Sequence, residues 1–77
     1  MKAYIFIKLE PRANVEKIDH ALSESKIKNI ELIMGPYDAI VTVEAKDIEE
    51  LGKLSMQVRM CPGIRDSITC QVFPKAP

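Results

Sequence analysis

The sequence predicts an α+β domain of order β-α-β-β-α-β, the split βαβ or ferredoxin-like sandwich, with two helices on one face of a four-stranded antiparallel sheet. Three observations lead there. Residues Lys2 to Glu10 alternate in the period of a strand, two later stretches keep the spacing of amphipathic helices, and Gly35-Pro36-Tyr37-Asp38 separates two apolar, β-branched-rich runs near the middle of the chain. A Gly-Pro pair between such runs is the local signature of a hairpin, its turn set by glycine freedom and proline rigidity.

In the first strand Ala3, Ile5, Ile7 and Leu9 fall on one side and Tyr4, Phe6 and Lys8 on the other, so both faces are apolar. Pro11 ends it. Asn14 then caps a helix in which Val15, Ile18, Ala21 and Leu22 share one side while Glu16, Lys17, His20 and Glu24 point outward; Ser23-Glu24-Ser25-Lys26 closes it. Ile30 to Met34 supplies a second strand leading into the turn, and a third runs from about Asp38 to Ala45, with Ala39, Val41 and Val43 opposite Ile40, Thr42 and Glu44.

Asp47-Ile48-Glu49-Glu50 reads as a capping box, the Asp side chain accepting a backbone N–H and the Glu three residues on reaching back. The helix that follows carries Ile48, Leu51, Leu54, Ser55 and Val58 at helical spacing, and Cys61-Pro62-Gly63 stops it because proline cannot continue the ladder. The last strand spans Ile64 to Phe73, with Ile64, Ile68, Cys70 and Val72 on one face and Arg65, Ser67, Thr69, Gln71 and Phe73 on the other; residues 74–77 form a tail.

Right-handed crossovers put both helices on one face of the sheet and make the first and third strands central. The helix-facing layer is then Ala3, Ile5, Ile7, Val41, Val43, Ile68 and Cys70. The other face stays uncovered, with Tyr4, Phe6, Ile33, Ile40 and Phe73 beside Thr42, Ser67, Thr69 and Gln71. Exposed apolar patches of this kind mark interfaces. The expectation is a dimer at minimum, formed sheet to sheet through Tyr4, Phe6, Ile40, Thr42 and Phe73.

Seventy-seven residues make one domain, and a domain of that size hides only about 60 % of the surface its unfolded chain exposes. The 47 % hydrophobic and 29 % charged content is ordinary for a folded chain. Acidic and basic residues balance at 11 each, and no Lys/Arg cluster forms a footprint for nucleic acid or an anionic membrane. No secretory leader and no apolar run near the roughly 20 residues of a membrane span is present, so a cytoplasmic chain is expected. Cys61 and Cys70 lie in no CxxC or Cys/His cluster, which argues for reduced, buried structural thiols and against a metal or other cofactor.

No catalytic constellation survives inspection. His20 sits on the polar side of its helix without a positioned partner, Gly35, Gly52 and Gly63 are too isolated for a phosphate loop, and Glu49 with Glu50 is the usual stabilising charge at a helix start. Met34, Met56 and Met60 read as core filling. Two features stand above this background. The Gly35-Pro36-Tyr37-Asp38 turn sets bare backbone beside a carboxylate, which suits either a plain hairpin or a site for the ends of a zwitterion; Ser67 and Thr69 are either tolerated strand residues or hydroxyls offered to a ligand on the open face.

The pattern Gly35-x-Tyr37-Asp38, an aliphatic strand, an acid-capped helix, Pro62-Gly63-Ile64 and a Ser67-x-Thr69 strand resembles the effector-binding domain of the leucine-responsive regulatory protein/AsnC (Lrp/AsnC) family, the regulation of amino acid metabolism domain. The likeness runs from about Ala3 to Phe73. It implies the same βαββαβ fold, dimers joined through their sheets, assembly into an octamer or similar ring, and an amino-acid-type effector held between dimers by Gly35, Pro36, Tyr37, Asp38, Ser67 and Thr69. Pro36 stands where the family more often has a polar residue. Full-length members carry an N-terminal helix-turn-helix domain, so this chain looks like a stand-alone version that pairs with itself or with full-length Lrp/AsnC regulators and touches no DNA. The resemblance thus implies a non-enzymatic effector-binding and oligomerisation domain linked to transcriptional regulation; the alternatives are a small dimeric ferredoxin-like enzyme or a purely structural self-assembly domain.

Overall fold

The structure, a computed structural model, describes residues 1–23 and 26–75. The expected roles of Glu24 and Ser25 at the end of the first helix, and of the last two tail residues, lie outside the described residues. The element order is β1 (Lys2–Leu9), α1 (Val15–Leu22), β2 (Ile27–Leu32), β3 (Ala39–Glu44), α2 (Ile48–Arg59) and β4 (Ile64–Gln71). The strands form one antiparallel sheet in the order β2-β3-β1-β4, so β1 and β3 are central as expected.

Alternation in the two central strands builds the core. Ala3, Ile5, Ile7, Ala39, Val41 and Val43 are all completely buried, and they pack with Ile18 and Leu22 of α1 and Leu51, Leu54 and Val58 of α2. Every large apolar side chain buried this way contributes about 1.5–3 kcal/mol, so the layer between helices and sheet is the main source of stability.

Both edge strands depart from the expected reading, and for one reason. A β-bulge adds an unpaired residue, which shifts every later side chain to the opposite face. In β2 the bulge is at Asn29, whose φ of 46° is a left-handed value asparagine tolerates, and it lets Ile27 and Ile30 pair with the inward-facing Val43 and Val41. The strand therefore begins at Ile27 and ends at Leu32, earlier than the expected Ile30 to Met34. In β4, Ile64 pairs with Leu9 but Asp66 with Lys8, leaving Arg65 as the extra residue. Ser67 and Thr69 then stand opposite Ile7 and Ile5 on the helix side, while Ile68 and Cys70 stand opposite Phe6 and Tyr4 on the open side, reversing the expected faces.

The exposed methionines are a further correction: Met34 lies past the end of β2, while Met56 and Met60 project away from the Leu51, Leu54 and Val58 stripe. Ile48 is also exposed, about a quarter turn off that stripe. Cys61 is buried as expected, but Cys70 is exposed on the open sheet face.

The helix starts follow the sequence closely. Asn14 Oδ1 accepts the Lys17 N–H at 3.1 Å, and Asp47 Oδ1 accepts the Glu50 N–H at 2.8 Å. Glu50 reaches back one residue further than a standard capping box, accepting the Lys46 N–H at 3.1 Å and the Lys26 ammonium at 3.1 and 3.2 Å. The turn from α2 to β4 needs its glycine: Gly63 has φ +95°, and a Cβ there would stand 3.1 Å from Ile18 Cδ1 and 3.3 Å from Ala13 Cβ.

The backbone bond from Lys46, then the Lys26 ammonium, holds the Glu50 carboxyl below its ordinary value. A carboxyl depressed in the folded state adds stability above the unfolded-state pKa and loses it as pH falls through the folded one. Urea titrations should therefore show Glu50→Gln less stable than wild type at neutral pH, with the two curves converging as pH drops below 4.5. A gap that is constant with pH would show that the Glu50 charge contributes nothing.

Candidate functional site

The residues Gly35 to Asp38 lie in the β2–β3 connection, residues 33–38, at one end of the sheet. Asp38 ties this loop down three ways. Its N–H donates to the Ile7 carbonyl at 2.9 Å, its carbonyl accepts the Ile33 N–H at 3.0 Å, and its Oδ2 accepts the Leu9 N–H at 2.8 Å. The last bond falls where the β1–β4 register shifts, so the carboxylate satisfies a donor next to the bulge. Tyr37 stacks obliquely on Phe6, ring centroids 5.7 Å apart and planes at 49°, which sets the loop against the open sheet face.

The glycine of this turn is not needed by the turn itself. Gly35 has no positive φ, and a Cβ there would meet nothing within 4 Å. The expectation of a turn set by glycine freedom is corrected; the conformational need lies at Gly63.

Ser67 and Thr69 are not brought to the loop. Ser67, Ile7 and Ala39 form one cross-strand row at the loop's end of the sheet, but that row faces the helices, and Ser67 is only 3 % exposed. Thr69 Oγ1 donates to Ser55 Oγ at 2.9 Å, Ser55 Oγ donates to the Leu51 carbonyl at 2.9 Å, and Arg59 donates to the Ser67 carbonyl at 3.0 Å. These groups make a polar seam between α2 and β4. The sequence signal for it was the spacing of three between Ile64 and Ser67, which a strand can keep on one face only by a bulge.

On the open face Tyr4, Phe6, Ile40 and Thr42 are half-buried, joined by Ile68 and Cys70, two residues the sequence had put inside. Phe73 lies past the end of β4, 88 % exposed, and by alternation Val72 continues the open-face row in its place; the Val72 N–H still donates to the Lys2 carbonyl. Charged residues ring this apolar centre: Lys2 with Glu44, Lys28, Glu31, and Lys8 with Asp66. The Lys2 ammonium lies 5.3 Å over the Tyr4 ring. An apolar centre with a charged rim is the anatomy of a protein–protein interface.

His20 is exposed in the last turn of α1. Among the described residues no group of three or more His, Cys, Asp or Glu is arranged to hold a metal, and no helix is long and apolar enough to cross a membrane.

No family model matches the chain. Homocitrate synthase of Saccharolobus islandicus is 30 % identical over 76 residues, a match covering 97 % of this chain and 16 % of that enzyme. The chain thus spans 16 % of the length of the curated relatives it matches. Among solved structures, the protein TTHA0845 from Thermus thermophilus superposes with a TM-score of 0.82 at 24 % identity, covering 99 % of this chain and 96 % of that one. An AsnC family transcriptional regulator from Agrobacterium tumefaciens gives 0.82 at 14 % identity, covering 99 % of this chain and 52 % of the regulator. The fold expected from the resemblance is the fold found.

Within the Gly35–Asp38 loop, the Asp38 carboxylate is the side chain that holds another strand by a hydrogen bond. Replacing it with Ala should leave the Leu9 N–H without its acceptor and cost about 1–3 kcal/mol, whereas Asp38→Asn, which keeps an acceptor oxygen, should cost less. Denaturant unfolding of the two variants checks this, and equal losses would show that the bond contributes nothing beyond its neighbours.

Proposed function

We propose that this chain, which has the Lrp/AsnC effector-binding fold, works as a non-enzymatic module that binds a small amino-acid-type effector and self-associates in the service of transcriptional regulation. The carrying observation is the match of nearly the whole chain to about half of an AsnC family regulator, together with the uncovered apolar centre on the open sheet face. Two protomers facing each other through Tyr4, Phe6, Ile40, Thr42, Ile68 and Cys70 would cover that centre and let the charged rims meet. Dimers would assemble further into a ring, and the Gly35–Asp38 loop, with fully exposed Met34 just before it, would border its neighbours and the effector. A cytoplasmic protein that joins full-length regulators fits the same scheme.

Regulation without catalysis is also favoured by the structural use of three of its carboxylates. Asp38 serves the Leu9 N–H, Asp47 the start of α2, and Glu50 both Lys46 and Lys26. The 30 % identity to a stretch of homocitrate synthase favours a second setting for the same module, in which effector binding acts on a metabolic enzyme rather than on a promoter. Effector binding is common to both.

Two measurements test the proposal. In a thermal-shift screen of amino acids, an effector at a hundredfold excess over its Kd should stabilise the fold by about 2.7 kcal/mol, and a flat response across the panel would overturn effector binding. In sedimentation the chain should run as a dimer or larger, and Phe6→Asp should release monomers because it would put an unpaired charge into the interface. A wild-type monomer would overturn self-association.

A further inference from the structure

On the helix side, a cleft of about 390 Å³ opens between the start of α1 and the turn from α2 to β4. It is lined by the apolar Ala13, Ala21, Cys61 and Pro62, by Asn14, and by Arg12 and Lys17 as its charged residues. No Asp or Glu lines it, although the chain as a whole carries 11 acidic residues against 11 basic ones. Among the described residues the ion pairs are Lys26 with Glu50 and Lys53 with Glu49, so neither Arg12 nor Lys17 is neutralised by one.

The walls are fixed by the main chain. The Glu10 N–H donates to the Gly63 carbonyl at 2.8 Å, the Ala13 N–H donates to the Glu10 carbonyl at 3.0 Å, and Gly63 lies close against Ala13 and Ile18. Burial pushes the Cys61 thiol pKa up, so this lining residue stays uncharged. An open surface cleft whose volume falls in the range of about 300–1,000 Å³ typical of small-molecule sites, with apolar lining residues and two cations, has the complementarity of a small organic acid.

We propose that this cleft binds a small carboxylate with an aliphatic body, its charged end on Arg12 and Lys17 and its chain over Ala13, Ala21 and Pro62. The site is separate from the Gly35–Asp38 loop and does not depend on that loop holding an effector. It is linked to it, however. Gly63 holds Glu10, the next residue along the chain is Leu9, and Leu9 holds the Asp38 carboxylate.

The test is an NMR titration of the ¹⁵N-labelled full chain with 4-methylpentanoate and with its neutral analogue 4-methylpentanamide. The acid should shift the amide signals of Ala13, Ala21 and Gly63, and the amide should bind about tenfold or more weakly, the value of a charge-assisted hydrogen bond. The double variant Arg12→Gln, Lys17→Gln should lose at least as much affinity for the acid at an unchanged melting temperature, and Ala21→Phe should block the cleft. Equal binding of acid and amide, affinity retained in the double variant, or no shift at these residues would overturn the proposal. Shifts at Tyr37 and Asp38 alone would do so while leaving effector binding intact. No response to either compound, beside a positive amino-acid screen, would remove the cleft only; failure of both experiments would remove both.

Discussion

Helices cover only one side of this sheet, and that constraint governs the rest of the molecule. β1 lies between two neighbours, with Ala3, Ile5 and Ile7 sealed under α1 and α2, so its alternate residues Tyr4 and Phe6 must face the other way. Nothing in the described chain is left to cover them. A strand that is apolar on both faces implies two layers, and one chain supplies only one. Burying large apolar side chains at about 1.5–3 kcal/mol each is the force that would draw a second copy onto the open face.

Because one face is core and the other is not, the placement of every residue depends on strand register, and register is where the sequence is least explicit. β1 and β3 alternate without interruption, so their faces could be read directly. The helix starts were equally plain, since Asn14 and Asp47 act within three residues of where they stand. The edge strands were not. Ile27 with Ile30, and Ile64 with Ser67, share a face at a spacing of three, which breaks the period of two that identifies a strand. Continuing the alternation of β4 from Ile64 put Ser67 and Thr69 on the open side and Ile68 and Cys70 inside, and the single extra residue Arg65 reverses all four.

The hairpin loop shows a different limit. That Gly35 to Asp38 is a connection was legible; what Asp38 does was not, because its side-chain partner is 29 residues away in the chain. Only the fold brings them together. A carboxylate beside a tight turn looks free in sequence, yet here one of its oxygens answers a backbone donor next to a β-bulge. Bulges leave such donors unpaired, and a nearby acceptor is what makes one tolerable. The same logic separates the glycines: Gly35 is prominent in the sequence but unconstrained in the protomer, whereas Gly63, at the end of a helix, admits no side chain without moving Ile18 or Ala13.

The bulge at Lys8 and Leu9 therefore joins two regions that the chain keeps apart. On one side the Asp38 carboxylate holds Leu9; on the other, Glu10 holds Gly63 and, through Ala13, the start of α1. Each such hydrogen bond is worth about 0.5–1.5 kcal/mol net, somewhat more where a charge is involved. Two in series can transmit at most a few kcal/mol, within the 1–3 kcal/mol typical of coupling between sites. They fall short of the roughly 5.5 kcal/mol needed to turn a two-state equilibrium from almost wholly one state to the other. Within one protomer, then, this connection is of the size that grades a coupling between its two ends and too small to act as a sharp switch.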